Sequence, residues 1–299
     1  MKSFDAAFER VSAPKDLLWP GDRRIAVVFN VAYEMWTSDA TSGVGPMGNV
    51  LAGGVFDPNA DSYGKYGASV GARRLLKIAQ RNGVVASVLT SGMVAEHHPE
   101  PIKQISDGGH EVVGHAYAQN FLSPTMTADQ DATSITRTTR LIERATGARP
   151  EGWISPRVTS GPDTHRRLIE HGYSWHGDAL DDDLPYLQRY PEGDIVAIPM
   201  SIDFNDLPHA MRFGRTPLQF VEMFFDALDA IQKQPAETVI LDVFAHGHCY
   251  GRPAAAWAID EILKRCAAHD SLWITTRSGI AEHFRANLSD NPEDIRRNP

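Results

Sequence analysis

The chain predicts an α/β protein on parallel strands, either a barrel or a doubly wound sheet. Three observations carry this. Short apolar runs alternate with amphipathic stretches from Arg24 to about Asn287. Polar residues able to do chemistry recur just after the apolar runs. No internal repeat or low-complexity tract breaks the alternation. A parallel pair needs a long crossover, usually a helix, so alternation is the expected signature.

The elements follow in order. Arg24-Ile25-Ala26-Val27-Val28-Phe29-Asn30-Val31 reads as the first strand. Residues 37–66 form a long Gly/Ser/Asp/Pro segment, the kind of loop that serves as a lid, a binding loop or a subunit contact. A helix is expected from Ser69 to Asn82, stopped by Gly83, then a strand over Val84–Leu89. A short helix covers Pro99–Asp107, and Glu111–His115 is a strand ending on a histidine. The pattern continues with a helix from Asp129 to Thr146, a strand and exit loop over Gly152–Arg157, and a helix from Asp163 to Glu170. Strands are expected at Tyr173–His176 and Asp194–Pro199, then a helix at Pro217–Gln232. Thr238–Val243 is a buried strand, followed by a helix from Ala254. Leu272–Thr276 is the last strand and Ser278–Asn287 the closing helix.

The bulk properties narrow the function classes. With 299 residues and no composition break, one domain is expected, with its core over about 22–284. A net charge of -9 argues against a nucleic-acid partner. Two cysteines, Cys249 and Cys266, are too few for a disulfide framework or a thiolate zinc site. The start of the chain has no secretory apolar core and no run is long enough for a membrane span, so a cytoplasmic protein acting on a small molecule is expected.

Strand exits hold the candidate chemistry. Glu34 follows the first strand, His115 the third, Arg157 the fourth, and His246 with His248 the late strand. A carboxylate, imidazoles and a guanidinium at one barrel mouth make a plausible hydrolytic site: a base for water, a cation for the oxyanion, an acid for the leaving nitrogen. Glu34, His115 and His246 are the candidate catalytic residues. Burial is expected to raise the Glu34 pKa towards a useful base, and His246 is expected near its usual pKa of about 6.5. Tyr33, Trp36, Tyr117, Trp153, Arg157, Trp175 and His248 are candidates for holding substrate. The aromatics are most simply core or rim residues, but side chains near strand ends also wall small planar ligands. Arg157 has a second reading as an ion-pair partner of the Asp181–Asp183 run, and Arg252 as an anchor of its own loop.

Several segments together resemble the polysaccharide deacetylase superfamily, carbohydrate esterase 4-like, in its allantoinase-like and cyclic-imidase-like branch. They are Tyr66–Arg73, Gly109-His110-Glu111 with His115-Ala116-Tyr117, Gly152-Trp153 with Arg157, Asp181–Tyr186, Asp203-Phe204-Asn205-Asp206, and His246 with Gly251-Arg252-Pro253. Gly247 stands where the branch has proline. The resemblance implies a distorted seven-stranded (β/α) barrel, hydrolysis of a non-peptide C–N bond, His246 as general acid, and a homodimer or homotetramer.

Many relatives hold a divalent metal with an Asp and an H-x-x-x-H pair. Here Gln119 takes the second histidine position, and Ala32 or Met35, depending on register, takes that of the Asp. The expectation is therefore no cofactor and no metal at the usual site. A metal such as zinc completed by Glu34, His248 or the Asp181–Asp183 run stays open. The leading reading is a hydrolase of a small amide, ureide or cyclic imide. The alternatives are a metal-dependent N-deacetylase of acetylated sugars, and a degenerate barrel that binds a ligand or runs another reaction such as a lyase.

Overall fold

The computed structural model describes residues 8–37, 55–234 and 237–288, with the backbone of 295–296. Most of the expected lid, residues 38–54, lies outside the described residues. In chain order the elements are β1 (Glu9–Ser12), β2 (Ile25–Tyr33), α1 (Pro58–Tyr66), α2 (Ala72–Arg81), β3 (Ser87–Thr90), α3 (Gly92–His97), α4 (Pro99–Asp107), β4 (Glu111–Gly114), α5 (Ala128–Thr146), β5 (Gly152–Trp153), α6 (Thr164–Glu170) and β6 (Trp175–His176). Then come β7 (Tyr186–Tyr190), β8 (Gly193–Ala197), α7 (Pro217–Gln232), β9 (Val239–His246), α8 (Pro253–Ala267), β10 (Leu272–Thr275), α9 (Arg277–Ala286) and β11 (Ile295–Arg296). No helix among the described residues is long and apolar enough to cross a membrane.

Strands β9, β2, β3, β4, β5, β6 and β8 run parallel in that spatial order and form a distorted seven-stranded barrel. β10 lies beside the first half of β2. Strand β2 is buried along its whole length, which is why it reads as a nearly continuous apolar run. Its residues still alternate. Val27, Phe29, Val31 and Tyr33 pack outward against the helices, while Ala26 and Val28 pack inside the barrel. Strand β9 does the same, with Leu241, Val243 and Ala245 outward and Ile240 and Phe244 inward. Their register pairs Ala32 with His246.

The helices start where local chemistry predicts. Thr127 with Gln130 and Thr216 with Gln219 form capping boxes at α5 and α7, and Gly147 ends α5 in the left-handed region. The sequence reading does not find β1 and β7. They add an antiparallel extension, β8–β7–β1, outside the barrel. Nor does it find α1 and α3, which are short and carry little apolar periodicity. Helix α1 runs through a π-helical turn, Gly67–Gly71, into α2. That turn packs backbone to backbone on the loop after β9, since a Cβ on Gly71 would sit 1.8 Å from the Gly247 carbonyl oxygen.

No strand ladder joins β8 to β9; a single bridge pairs Asn205, in the segment after β8, with Phe244 of β9. Side chains close this seam. Ser201 N–H donates to Asp242 Oδ2 at 3.0 Å, and Asp242 N–H donates to Ser201 Oγ at 2.9 Å. Arg277 reaches across the interior to Asp242, and its Nε donates to Asn30 Oδ1 at 3.0 Å. Asn30 in turn donates to Asp242 at 2.8 Å. Arg277 and Asp242 are fully buried, so removing one partner strands the other charge. Asp242→Ala is expected to lower stability by about 3–5 kcal/mol in a urea melt; a loss under about 1 kcal/mol would show that the pair does not hold the seam.

Candidate active site

Inward alternation on β2 and β9 continues past both strand ends and delivers the site. Glu34 follows β2, His246 ends β9, and His248 lies two residues further on. His115 joins them from the end of β4, where its backbone N–H donates to Thr90 O at 3.1 Å. All four are buried. Glu34 Oε1 lies 3.4 Å from His115 Nε2 and 4.0 Å from His246 Nε2. Its Oε2 lies 3.9 Å from His248 Nδ1. One carboxylate thus sits among three imidazoles.

Asp206 stands behind His246. Its Oδ1 pairs with His246 Nδ1 at 2.6 Å, and its Oδ2 accepts the backbone N–H groups of His246 at 2.8 Å and Tyr250 at 2.9 Å. Three bonds hold this carboxylate rigid and aim His246 Nε2 at Glu34. Asp206 lies in the Asp203–Asp206 segment, where the sequence alone gives it no role. A histidine proposed as acid calls for an orienting carboxylate, and that need was the usable signal.

The charges differ from the sequence expectation. Burial alone would push Glu34 up, but His246, His115 and His248 together outweigh it and hold the carboxyl down at about 2. Burial alone would push His246 down, yet Asp206 and Glu34 hold it up at about 9. Burial wins at His248, which falls to about 4. At neutral pH the site therefore holds a Glu34 carboxylate, a cationic His246 and a neutral His248.

The candidate substrate residues divide. Trp36 and Tyr63 both meet the His248 ring edge-on, at centroid distances of 5.4 and 5.7 Å, so Trp36 does border the site. Tyr33 does not. It is an odd-phase residue of β2, faces the helices, and donates its hydroxyl to Ala68 O at 3.0 Å. Trp153 and Trp175 are buried packing residues, their indole N–H groups used by Ser155 Oγ and Ser278 Oγ. Tyr117 packs beneath Arg137 and donates to Glu96 at 2.7 Å. Arg157 is exposed, in the left-handed region at φ 59°. It is not paired with the aspartate run, where Asp181 and Asp182 bind Arg10 instead. Arg252 donates to His248 O at 3.0 Å and lies over the Tyr63 and Tyr66 rings.

At the positions where the resemblance implies metal donors, this chain has Gln119 and either Ala32 or Met35. Gln119 spends its amide on Ser91 Oγ and His115 O. Met35, half-buried, packs against the outer core. An amide and a thioether beside one imidazole do not make a divalent site, which normally needs three protein ligands. Among the described residues, one trio of His, Cys, Asp or Glu lies within reach of a common ion: His165, His176 and Asp178. Glu34 is not part of it.

Histidine-resolved NMR titration tests the electrostatics. His246 is expected to hold its proton to about pH 9, and His248 to gain one only near pH 4. Because His246 is raised above its unfolded value of about 6.5, its stabilising contribution is complete below that pH and disappears as pH rises through about 9. Asp206→Asn should bring its titration down; an unmoved value would remove Asp206 from the site.

Comparison with known proteins agrees with this architecture. The sequence profile described as polysaccharide deacetylase matches residues 61–176. A peptidoglycan deacetylase of Helicobacter pylori is 26% identical over 273 residues, covering 80% of this chain and 91% of that protein. The crystal structure of a probable polysaccharide deacetylase from Pseudomonas aeruginosa superposes with a TM-score of 0.78 at 28% identity, covering 91% of this chain and 95% of the other. That of PuuE allantoinase gives 0.79 at 28% identity, covering 91% and 94%. Profile, relative and barrel converge on one likeness: the chain is similar in sequence and fold to the polysaccharide deacetylase superfamily.

Proposed function

We propose that this protein hydrolyses an amide C–N bond of an acetylated amine, with Glu34 and His246 as its proton-handling pair. One observation carries the reading: a buried carboxylate and a cationic imidazole face each other 4.0 Å apart at the barrel mouth. Water attacks the carbonyl as Glu34 takes its proton. His246 gives its Nε2 proton to the departing nitrogen, which would otherwise leave as a very poor amide anion. The two transfers assist each other. Once His246 has given up its proton, the cation that depressed Glu34 is gone, and Glu34 holds more firmly the proton it has already taken from water. Asp206 keeps the imidazolium aimed throughout.

The substrate class rests on the Helicobacter pylori relative, a peptidoglycan deacetylase, and this support favours deacetylation over the ureide reading that leads from sequence. A second reading keeps a small cyclic ureide or imide. The aromatic edge formed by Trp36 and Tyr63 and the likeness to an allantoinase favour it. Acetate release from N-acetylglucosamine oligomers and peptidoglycan fragments, measured beside ring opening of allantoin, hydantoin and succinimide, separates the two. Turnover of neither class would sink both.

The missing donors support a reaction that needs no metal in the usual position. Dialysis against a chelator is expected to leave kcat within about twofold; loss of activity restored by zinc would overturn this. His246→Ala is expected to lower kcat by at least about 100-fold, and Glu34→Gln by a similar factor, with His248→Ala costing less. The free-enzyme profile of kcat/KM should fall as pH rises through about 9, where His246 loses its proton. Near-normal turnover in the His246 variant would place the acid elsewhere.

A further inference from the structure

A second buried polar group lies behind β5 and β6. His165 and His176 stack at 3.7 Å with only 18° between their planes, and His165 Nε2 lies 3.9 Å from Asp178 Oδ2. Proximity suggests a metal, but the geometry refuses one. An ion bound to both nearly parallel rings would sit far out of each ring plane, away from the lone pairs. His176 has none to spare: Nδ1 accepts the Asp178 backbone N–H at 3.1 Å, and Nε2 donates to Gln188 Oε1 at 3.0 Å. What the rings do instead is wall in Asp178, whose side chain is fully enclosed.

Asp178 grips one residue twice. Its Oδ1 accepts Ser155 N–H at 2.7 Å and its Oδ2 accepts Ser155 Oγ–H at 2.6 Å. The chain around Ser155 needs such a hold. Arg157 and Val158 both adopt positive φ, 59° and 56°, a conformation costly for any side chain and most of all for a β-branched one. Beside Ser155, the Ile154 carbonyl accepts from His115 Nδ1 at 2.5 Å. A carbonyl only accepts, so this bond commits the His115 proton to Nδ1. Nε2, 3.4 Å from Glu34 Oε1, then carries a proton only when the ring is a cation, and it is that second proton that His115 gives to the carboxylate.

We propose that Asp178 is a positioning residue: through Ser155 it holds the Ile154 carbonyl against His115 and so fixes the ring orientation and tautomer at the site. Asp178 touches no reacting atom. Its effect reaches the chemistry by way of Ser155, the Ile154 carbonyl and His115 Nδ1. Burial pushes the Asp178 carboxyl up to about 6, which still leaves it mainly ionised at pH 7. The proposal rests on the hydrolase reading, in which His115 lies 3.4 Å from the base Glu34, but its structural half can be read without a substrate.

The test uses the whole protein with ¹⁵N-labelled histidine, the His115 signals being identified by their loss in His115→Gln. Wild type should show a fully protonated Nδ1 at His115. In Asp178→Ala the Nδ1 and Nε2 signals should move towards a tautomer average. Asp178→Asn should keep the wild-type pattern, because its oxygen can take the Ser155 N–H and its NH₂ can donate to Ser155 Oγ. On the acetylated glycan or ureide that wild type turns over, Asp178→Ala should lose about 10- to 100-fold in kcat with KM within about threefold. Ser155→Ala, which keeps the backbone bond, should lose less and serves if the alanine variant does not fold. A folded Asp178→Ala protein with His115 Nδ1 still protonated and kcat unchanged would overturn the proposal. So would an Asn variant as damaged as the Ala variant. A changed tautomer in a protein that hydrolyses neither substrate class would refute the hydrolase reading and leave the positioning role standing.

Discussion

The parallel pairing of β2 with β9 is the constraint on which the site depends. Its register runs from Ile25 opposite Val239 to Ala32 opposite His246. A slip of one residue would turn every inward side chain outward. Glu34 would then face the helices, and the Tyr33 side of the strand would face the mouth. The register is held by apolar residues on both faces and by the interior group of Asn30, Asp242 and Arg277. Structure far below the mouth therefore decides which two residues meet at it.

What meets there behaves as one electrostatic unit. A carboxylate buried alone gains a proton, and an imidazole buried alone loses one. Here each opposes that tendency in the other, and Asp206 tips the balance to the charged pair. His248, two residues from His246 and equally buried, has no such carboxylate bonded to it and follows burial instead. Two histidines in one loop thus take opposite charge states. The glycines at 67, 71, 247 and 251 let this loop lie against the turn before α2 at distances no side chain would permit.

Much of this was legible in the sequence. The alternating pattern identified the α/β class; α5 and α7 begin and end, and α8 begins, within a residue or two of where the sequence places them. Glu34, His115, His246 and His248 stand out as polar residues after strands, and the structure brings them together. The aromatic wall was less legible. Trp153 and Trp175 lie close to strand ends, but depth along a strand and choice of face are separate variables. Short strands such as β5 and β6 contain too few residues to establish a phase. Antiparallel β7 was hidden because Tyr186–Tyr190 follows an aspartate-rich loop and extends the sheet outside the alternating pattern.

The sequence by itself determined the α/β class, the resemblance to a superfamily and the side chains available for chemistry, because these depend on local periodicity and on residue identity. It also showed Gln119, and Ala32 or Met35, at the positions where the resemblance implies metal donors, which is a matter of identity alone. Only the tertiary structure decided which carboxylate stands behind His246, how far the two protonation states are driven apart, and that Asp178 supports His115 from two strands away. Those are properties of distance and burial. They arise between residues such as Asp206 and His246, 40 positions apart in the chain, and no local pattern encodes them.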